Sequence, residues 1–434
     1  MNTVAHRRLS ILLVFFAFSP LPAPATDDDA HQELDLGVSS FQQWDDYFLK
    51  NQNAITRADF FLRVSHMLSD PSEVSSVFLD RGSHAEVSGP DNHSYKLRYS
   101  HPSHPPSYSS GRYWRSAREF FPKGPLPLSG LRVAVDPGHI GGNWAAAEGR
   151  LFIAPCGTTI AEGDMTLRVA KILRHLLVSS GAVVYLTREK SEPLAGTDPS
   201  AFEARARENL RRSSKPASRE NVGRESMRIM LQQAEIEARA EIINNRIRPD
   251  LAICLHFNAA PWGSRSNPKL VEENHLHLLV GGHYQKAEIE IPEQRMNLVR
   301  RALEGTSLEE ESLAKAVASD LSATTRLPPF NYGAGSKIAS PVEGSPYVWK
   351  RNLMATRLFH CPVVFLEPFV MNSREFVSAV RQGSSHWHVA GSTADVFERY
   401  AIGVYRGILR RYAKRQDLPP RVSDRYTPRW LDSR

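Results

Sequence analysis

Leu131-Arg-Val-Ala-Val-Asp-Pro-Gly-His139 is a short apolar strand that stops at a Pro-Gly turn and leaves an Asp and a His at its end. The chain that follows alternates strands with helices. Val169, Ile172, Leu173, Leu176 and Leu177 form one face of a helix, Gly181 stops it, and Ala182 to Thr187 is the next strand. A long helix from about Glu225 to Ile247 leads into a strand over Leu251 to His256, Leu313 to Leu321 reads as helix and Val363 to Glu367 as strand. This alternation predicts an α/β fold with an open, mostly parallel sheet and helices on both faces. Two stretches interrupt it. Ser191 to Arg224, rich in Arg and Ser, is expected to be a mobile loop, whereas Ser264 to Glu310 holds a strand, His275 to Val280, and a helix around Gln294 to Leu303, and reads as an ordered insertion or edge unit.

Outside the alternation the organisation is simpler. Residues 26–100 read as a small N-terminal unit of unknown role, with Phe41, Trp44, Tyr47 and Phe48 at helical spacing and Thr56 and Asp59 opening a second helix. Residues 101–127 are rich in Ser, Pro, Tyr and His and read as a linker, 128–412 as the main domain, and 413–434 as a basic tail. Arg7 and Arg8 precede the apolar run Leu9 to Phe18, and Ala23-Pro24-Ala25 follows, so residues 1–25 read as a cleaved secretory leader. That places the protein outside the cytoplasm, in the periplasm or cell envelope.

Composition narrows the classes further. With 434 residues, 41% hydrophobic and 23% charged, the chain is neither disordered, collagenous nor a multi-span membrane protein. The net charge of +7 is concentrated in the last 34 residues, where nine Lys/Arg face three Asp, which argues against a nucleic-acid-binding body. A tail of this kind suits a polyanionic surface such as a cell envelope; a solvated helix end with a frayed terminus accounts for it equally. Cys156, Cys254 and Cys361 form no CxxC pair, so any metal has to be held by His and carboxylate, and the last two read as buried apolar residues.

In open α/β sheets the ligand site lies beyond the carboxyl ends of the strands. There the first strand delivers Asp136 and His139, a later one His256 and Asn258, and the last Glu367, while Glu162 stands at the entrance of the first helix. Two His and one Glu are a ligand set that holds zinc in hydrolytic sites, and a further carboxylate is needed to move a proton. Glu367 is placed for that task.

These residues resemble the zinc-dependent N-acetylmuramoyl-L-alanine amidases of bacterial cell-wall hydrolases. Val133-Ala-Val-Asp-Pro-Gly-His139 is similar to the family's opening strand and first ligand, and Glu162-Gly-Asp-Met-Thr-Leu-Arg-Val-Ala-Lys171 to its ligand Glu and helix. Arg239 to Asn244 with Pro249-Asp-Leu-Ala-Ile-Cys-Leu-His-Phe-Asn-Ala259 resembles the segment carrying the second His. Pro362 to Ser373 resembles the one carrying the catalytic Glu. The resemblance implies Zn2+ held by His139, Glu162 and His256, Glu367 as catalytic base, peptidoglycan as substrate, and an activator protein in the envelope as a partner. The 23 positions between His139 and Glu162 exceed the family's usual spacing and contain Glu148; Glu162 is preferred as ligand because a helix pattern follows it.

Asp136 is expected to orient an imidazole from behind, and Arg188 and Arg351 either to touch an anionic substrate or to form ion pairs. His275-Leu-His277 and His386-Trp-His388 lack a carboxylate set and read as structural. Two functions follow: an amidase, or a catalytically silent peptidoglycan-binding protein on the same fold. The helix of the 264–310 insertion either covers the zinc position through Glu293 or Glu304, or merely extends the sheet.

Overall fold

The computed structural model describes residues 41–90, 93–101, 112–333, 335–382 and 394–413. The leader, residues 102–111 of the 101–127 stretch, His386, His388 and residues 414–434 of the basic tail lie outside them. Helices α1 (Phe41–Lys50) and α2 (Arg57–Met67) come first, the second capped by Thr56, whose hydroxyl accepts the Asp59 N–H. A three-stranded antiparallel sheet follows: β1 (Leu79–Asp80), β2 (His84–Ser88) and β3 (Ser94–Arg98). Its inward residues Ala85, Val87, Tyr95 and Leu97 pack with Phe60 and Val64 of α2. Residues 112–127 run as a strap over the next unit. Trp114 and Phe120 are buried, and Arg115 grips both Asp250 oxygens through Nε and Nη2 at 2.9 and 2.6 Å.

The main sheet begins with β4 (Arg132–Pro137). A short helix α3 (Trp144–Ala147) and a hairpin of β5 (Leu151–Ile153) and β6 (Thr159–Ala161) lead into α4 (Glu162–Ser179) and β7 (Val183–Leu186). Next come α5 (Glu203–Arg212), α6 (Arg219–Arg228), α7 (Glu235–Glu241) and β8 (Leu251–Leu255). After β9 (Leu276–Gly281) stand α8 (Lys286–Ile289), α9 (Pro292–Glu304) and α10 (Thr306–Thr325). The chain closes with β10 (Ser340–Pro341), β11 (Val348–Arg351), α11 (Met354–Leu358), β12 (Val363–Pro368), α12 (Arg374–Gln382) and α13 (Val396–Tyr412).

Seven strands form one sheet in the order β10-β11-β9-β12-β8-β4-β7. The four strands β7, β4, β8 and β12 are parallel, and β9 enters antiparallel to β12. Strand alternation divides the core. Val133, Val135, Ile253, Leu255 and Leu366 pack on α4, α10 and α13 on one face, while Ala134, Ala252, Cys254 and Val363 meet α7 and α11 on the other. The expected open, mostly parallel α/β sheet is therefore present. Among the described residues no helix is long and apolar enough to cross a membrane.

Two insertions differ in outcome. The stretch expected to be a mobile loop, Ser191 to Arg224, carries α5 and the start of α6. Ala206, Leu210, Val222 and Ile229 close a small apolar cluster between them, and Arg/Glu pairs on the outer faces hide that pattern in the composition. The long helix accordingly starts at Arg219 and continues through π turns at Ile229–Ala234 and Ile242–Ile247. In the 264–310 insertion, Met296, Val299 and Leu303 of α9 share a core with Phe60, Val64 and Tyr95. Glu304 is buried against Arg300 and Tyr47, Glu293 is exposed, and among the described residues the group of His139, Glu162 and His256 includes neither.

Candidate metal centre

The chain turns sharply after β4, and three side chains converge at that rim. His139 follows the strand, His256 follows β8, and Glu162 opens α4. Their ligand atoms all lie within 4.8 Å of one another. One Glu162 oxygen is 3.4 Å from His139 Nε2 and the other 3.4 Å from His256 Nδ1. Two glycines allow the approach. A Cβ on Gly138 would stand 2.2 Å from the His256 ring, and one on Gly163 would stand 2.3 Å from the Ile140 carbonyl.

The second layer fixes the orientation. His139 Nδ1 lies 2.7 Å from Glu148 Oε1, and the other Glu148 oxygen accepts the Ile140 N–H at 2.8 Å. With Nδ1–H donated, His139 Nε2 is left to face Glu162. Glu162 also accepts the Phe257 N–H at 3.0 Å. Burial pushes the His139 pKa well below its ordinary value, against the pull of Glu162, so the ring is neutral. Burial likewise opposes ionisation of Glu162, but the two imidazoles facing it hold its carboxyl below the usual range. Two imidazoles and an ionised carboxylate, all drawn in from solvent, are a donor set that fits zinc.

Glu367, on β12, is the neighbour of this group. Leu366 pairs with Leu255 of β8, which places Glu367 beside His256, and the Phe365 ring stacks on the His256 ring at 4.1 Å. Burial and the Glu162 charge push the Glu367 carboxyl up to about 7, with His256, Arg150 and Arg351 opposing. Glu367 thus stands close to the ligand group with a proton affinity suited to neutral pH.

The remaining sequence-selected residues fall elsewhere. Asp136 does not touch an imidazole through a hydrogen bond; it accepts from Thr187 and from Arg239 Nη1 at 2.7 Å. Arg188, 3% exposed, gives its guanidinium to the carbonyls of Pro137, Gly138, Gly163 and Lys190. It is thereby sealed from solvent, and that burial lowers its pKa to about 10. Asn258 accepts the Ala259 N–H and lies 3.5 Å from His275. Arg351 is half-buried on β11, near Tyr332 and within the field of Glu367.

Sequence reasoning passed over Arg239 and Glu235 as working residues and set Glu148 aside as a ligand. Arg239 bonds Asp136, Glu235 and the carbonyls of Pro137 and His139. Glu235 holds the Leu194 and Ala195 N–H groups, anchoring the loop beyond β7. The available signal was position: Arg239 lies four residues after Glu235, on one helical face. A cavity of about 360 Å³ opens over His139, Glu148, His256, Arg239 and Phe365.

The family model described as N-acetylmuramoyl-L-alanine amidase matches residues 133–397, which is more than half of the chain. The chain belongs to the N-acetylmuramoyl-L-alanine amidase family. The germination-specific N-acetylmuramoyl-L-alanine amidase of Bacillus subtilis (strain 168) is 38% identical over 90 residues, 21% of this chain and 34% of that relative, so the match spans about a third of the relative's length. Among solved amidases, the CwlD amidase of Clostridioides difficile in complex with the GerS lipoprotein is 16% identical, with 64% of this chain and 96% of that chain covered and a TM-score of 0.36. Ami1 of Mycobacterium smegmatis is 18% identical, with 65% and 96% covered and a TM-score of 0.35. The amidase match begins at β4 and ends in the first turn of α13, so His139, Glu162, His256 and Glu367 all lie inside it, and α1 to β3 lie outside.

Proposed function

We propose that this protein is a zinc-dependent amidase that hydrolyses the amide bond between N-acetylmuramic acid and L-alanine in peptidoglycan, acting in the periplasm or cell envelope. The observation that carries the reading is the grouping of His139, Glu162 and His256 within 4.8 Å, with Glu367 on the adjacent strand. His139, Glu162 and His256 would hold the zinc; zinc in such a site polarises a carbonyl and acidifies a water. Glu367 takes the proton of the attacking water as its oxygen bonds to the lactyl carbonyl carbon. The C–N bond then breaks, Glu367 returns the proton to the alanine nitrogen, and a free stem peptide leaves an intact glycan strand. Arg188 and Arg239 keep the 137–139 turn in place, through its carbonyls, while this happens. Export rests on the Arg7-Arg8 and Leu9 to Phe18 pattern.

The complete set of acid and ligand side chains favours catalysis over a silent peptidoglycan-binding role. Digestion of purified sacculi with mass analysis of the products tests the reading. Free stem peptides beside uncut glycan are expected; glycan fragments, or no release, would overturn it.

A further inference from the structure

A second cavity, of about 450 Å³, adjoins the one over the candidate metal centre, and the two share Glu148, Leu231 and Gln232 as walls. Glu148 is the residue that holds His139, so this cleft begins one side chain away from the ligand group. It is built by the helical insertion: α5 contributes Leu210, the turn after it Lys215, and α6 Asn221, Arg224 and Arg228. Leu231 and Gln232 come from the π turn Ile229–Ala234, a widened helical turn of the kind that clusters at functional sites.

The lining has a definite chemistry. Its floor is aliphatic, from Leu210, Met227 and Leu231, and its rim is cationic. Arg228 is neutralised by Glu225 at 2.6 Å, and Glu148 is committed to His139 and Ile140. Lys215 forms no ion pair among the described residues. Asn221 braces its turn by donating to the Pro216 carbonyl. Among the described residues Arg224 pairs only with Glu220, and both partners are exposed, by 69% and 81% of their side chains. An exposed pair of that kind is worth little and exchanges readily for a better partner. Two cations are thus available to a ligand lying on an aliphatic floor.

We propose that this cleft is the subsite for the acidic peptide arm of the substrate, with Lys215 and Arg224 holding its carboxylates. The proposal rests on the amidase reading, because a scissile amide at His139, Glu162 and His256 has a peptide arm and a glycan arm that must leave in different directions. The glycan arm is neutral and presents ring faces, and among the described residues no aromatic side chain lines the cleft. Charge and lining both select the peptide.

The test is binding by titration calorimetry of L-alanyl-γ-D-glutamyl-L-lysine and of its glutamyl α-carboxamide, to the full chain and to Lys215→Ala/Arg224→Ala. The parent is expected to bind the free acid about tenfold tighter than the amide, as one charge-assisted contact provides, and the double variant to bind both alike. An intermediate discrimination in each single variant would support the shared role. Equal affinity of the parent for acid and amide, no binding of either, or undiminished discrimination in a double variant with unchanged circular dichroism would each overturn the proposal. Titration with a chitin-type N-acetylglucosamine tetramer adds the opposing arm: displacement of the peptide by the sugar would assign the cleft to glycan. Hydrolysis of sacculi is scored separately, so loss of the amidase reading and loss of the subsite give different results.

Discussion

Replacing Glu148 by Gln separates a residue that holds a ligand from one that is a ligand. Glu148 offers two oxygens to two donors, the His139 Nδ1–H at 2.7 Å and the Ile140 N–H at 2.8 Å. A glutamine of the same length offers one oxygen and one NH2. If the oxygen stays on Ile140, the amide NH2 faces Nδ1 and favours the tautomer with the proton on Nε2, the nitrogen that faces Glu162. If it stays on His139, the Ile140 N–H is left buried and unpaired, at a cost of about 1–3 kcal/mol. Either route weakens zinc binding by about 10- to 100-fold, the range for outer-shell partners of a ligating imidazole. Glu162→Ala removes a donor itself and is expected to lose far more. Competition against a chromophoric chelator near neutral pH reads both. Zinc affinity of Glu148→Gln within about twofold of the parent would refute the orienting role. A large loss in Glu148→Gln beside near-parent affinity in Glu162→Ala would make Glu148 the ligand and Glu162 the bystander.

Three further outcomes follow from the same geometry. His139→Ala and His256→Ala should each lower zinc content measured by atomic emission, and full occupancy in both would remove the ligand assignment. Glu367→Gln should keep its zinc while release of stem peptide from sacculi falls by about two or more orders of magnitude, since the amide cannot take a proton; retained turnover would point to another base. Arg239→Met leaves the buried carboxylates of Asp136 and Glu235 without their cation, and breaking such a network costs about 3–5 kcal/mol. Its thermal unfolding midpoint should drop by several degrees, and a midpoint within about a degree of the parent would show that Arg239 is not the keystone of the turn.

The sequence exposed the parts of the centre that obey a periodic rule. Parallel strands deliver their carboxyl ends to one rim, so the residues that follow Val135 and Leu255, and the one that ends Val363 to Glu367, were bound to meet. Glu162 was legible because an amphipathic helix begins at it. Contacts made across the chain left no such trace. Arg188 and Arg239 act on backbone carbonyls, which every residue has, so nothing in their targets' identity announces the pairing. The core shared by α2, β3 and α9 joins segments more than 200 residues apart. Helices α5 and α6 were hidden because the small cluster of Ala206, Leu210, Val222 and Ile229 lies beneath a surface of Arg/Glu pairs.

The 136–139 turn shows why local rules fail where the chemistry lies. Asp-Pro-Gly-His invites the reading that glycine is there for its backbone freedom. The left-handed residue is instead His139, at φ +58°, while the value of Gly138 is its missing side chain, which admits the His256 ring. A non-glycine residue in that conformation costs about 1–2 kcal/mol and persists only where its surroundings hold it. Here four side chains do so: Arg239 donates to the carbonyls on either side of Gly138, Arg188 to those of Pro137 and Gly138, and Thr166 to the Gly138 carbonyl at 2.7 Å, while Glu148 accepts the ring Nδ1–H. The strained turn aims the imidazole, and the buried arginines exist to keep it strained. Replacing Gly138 by Ala would therefore act on His256, not on the turn that contains it.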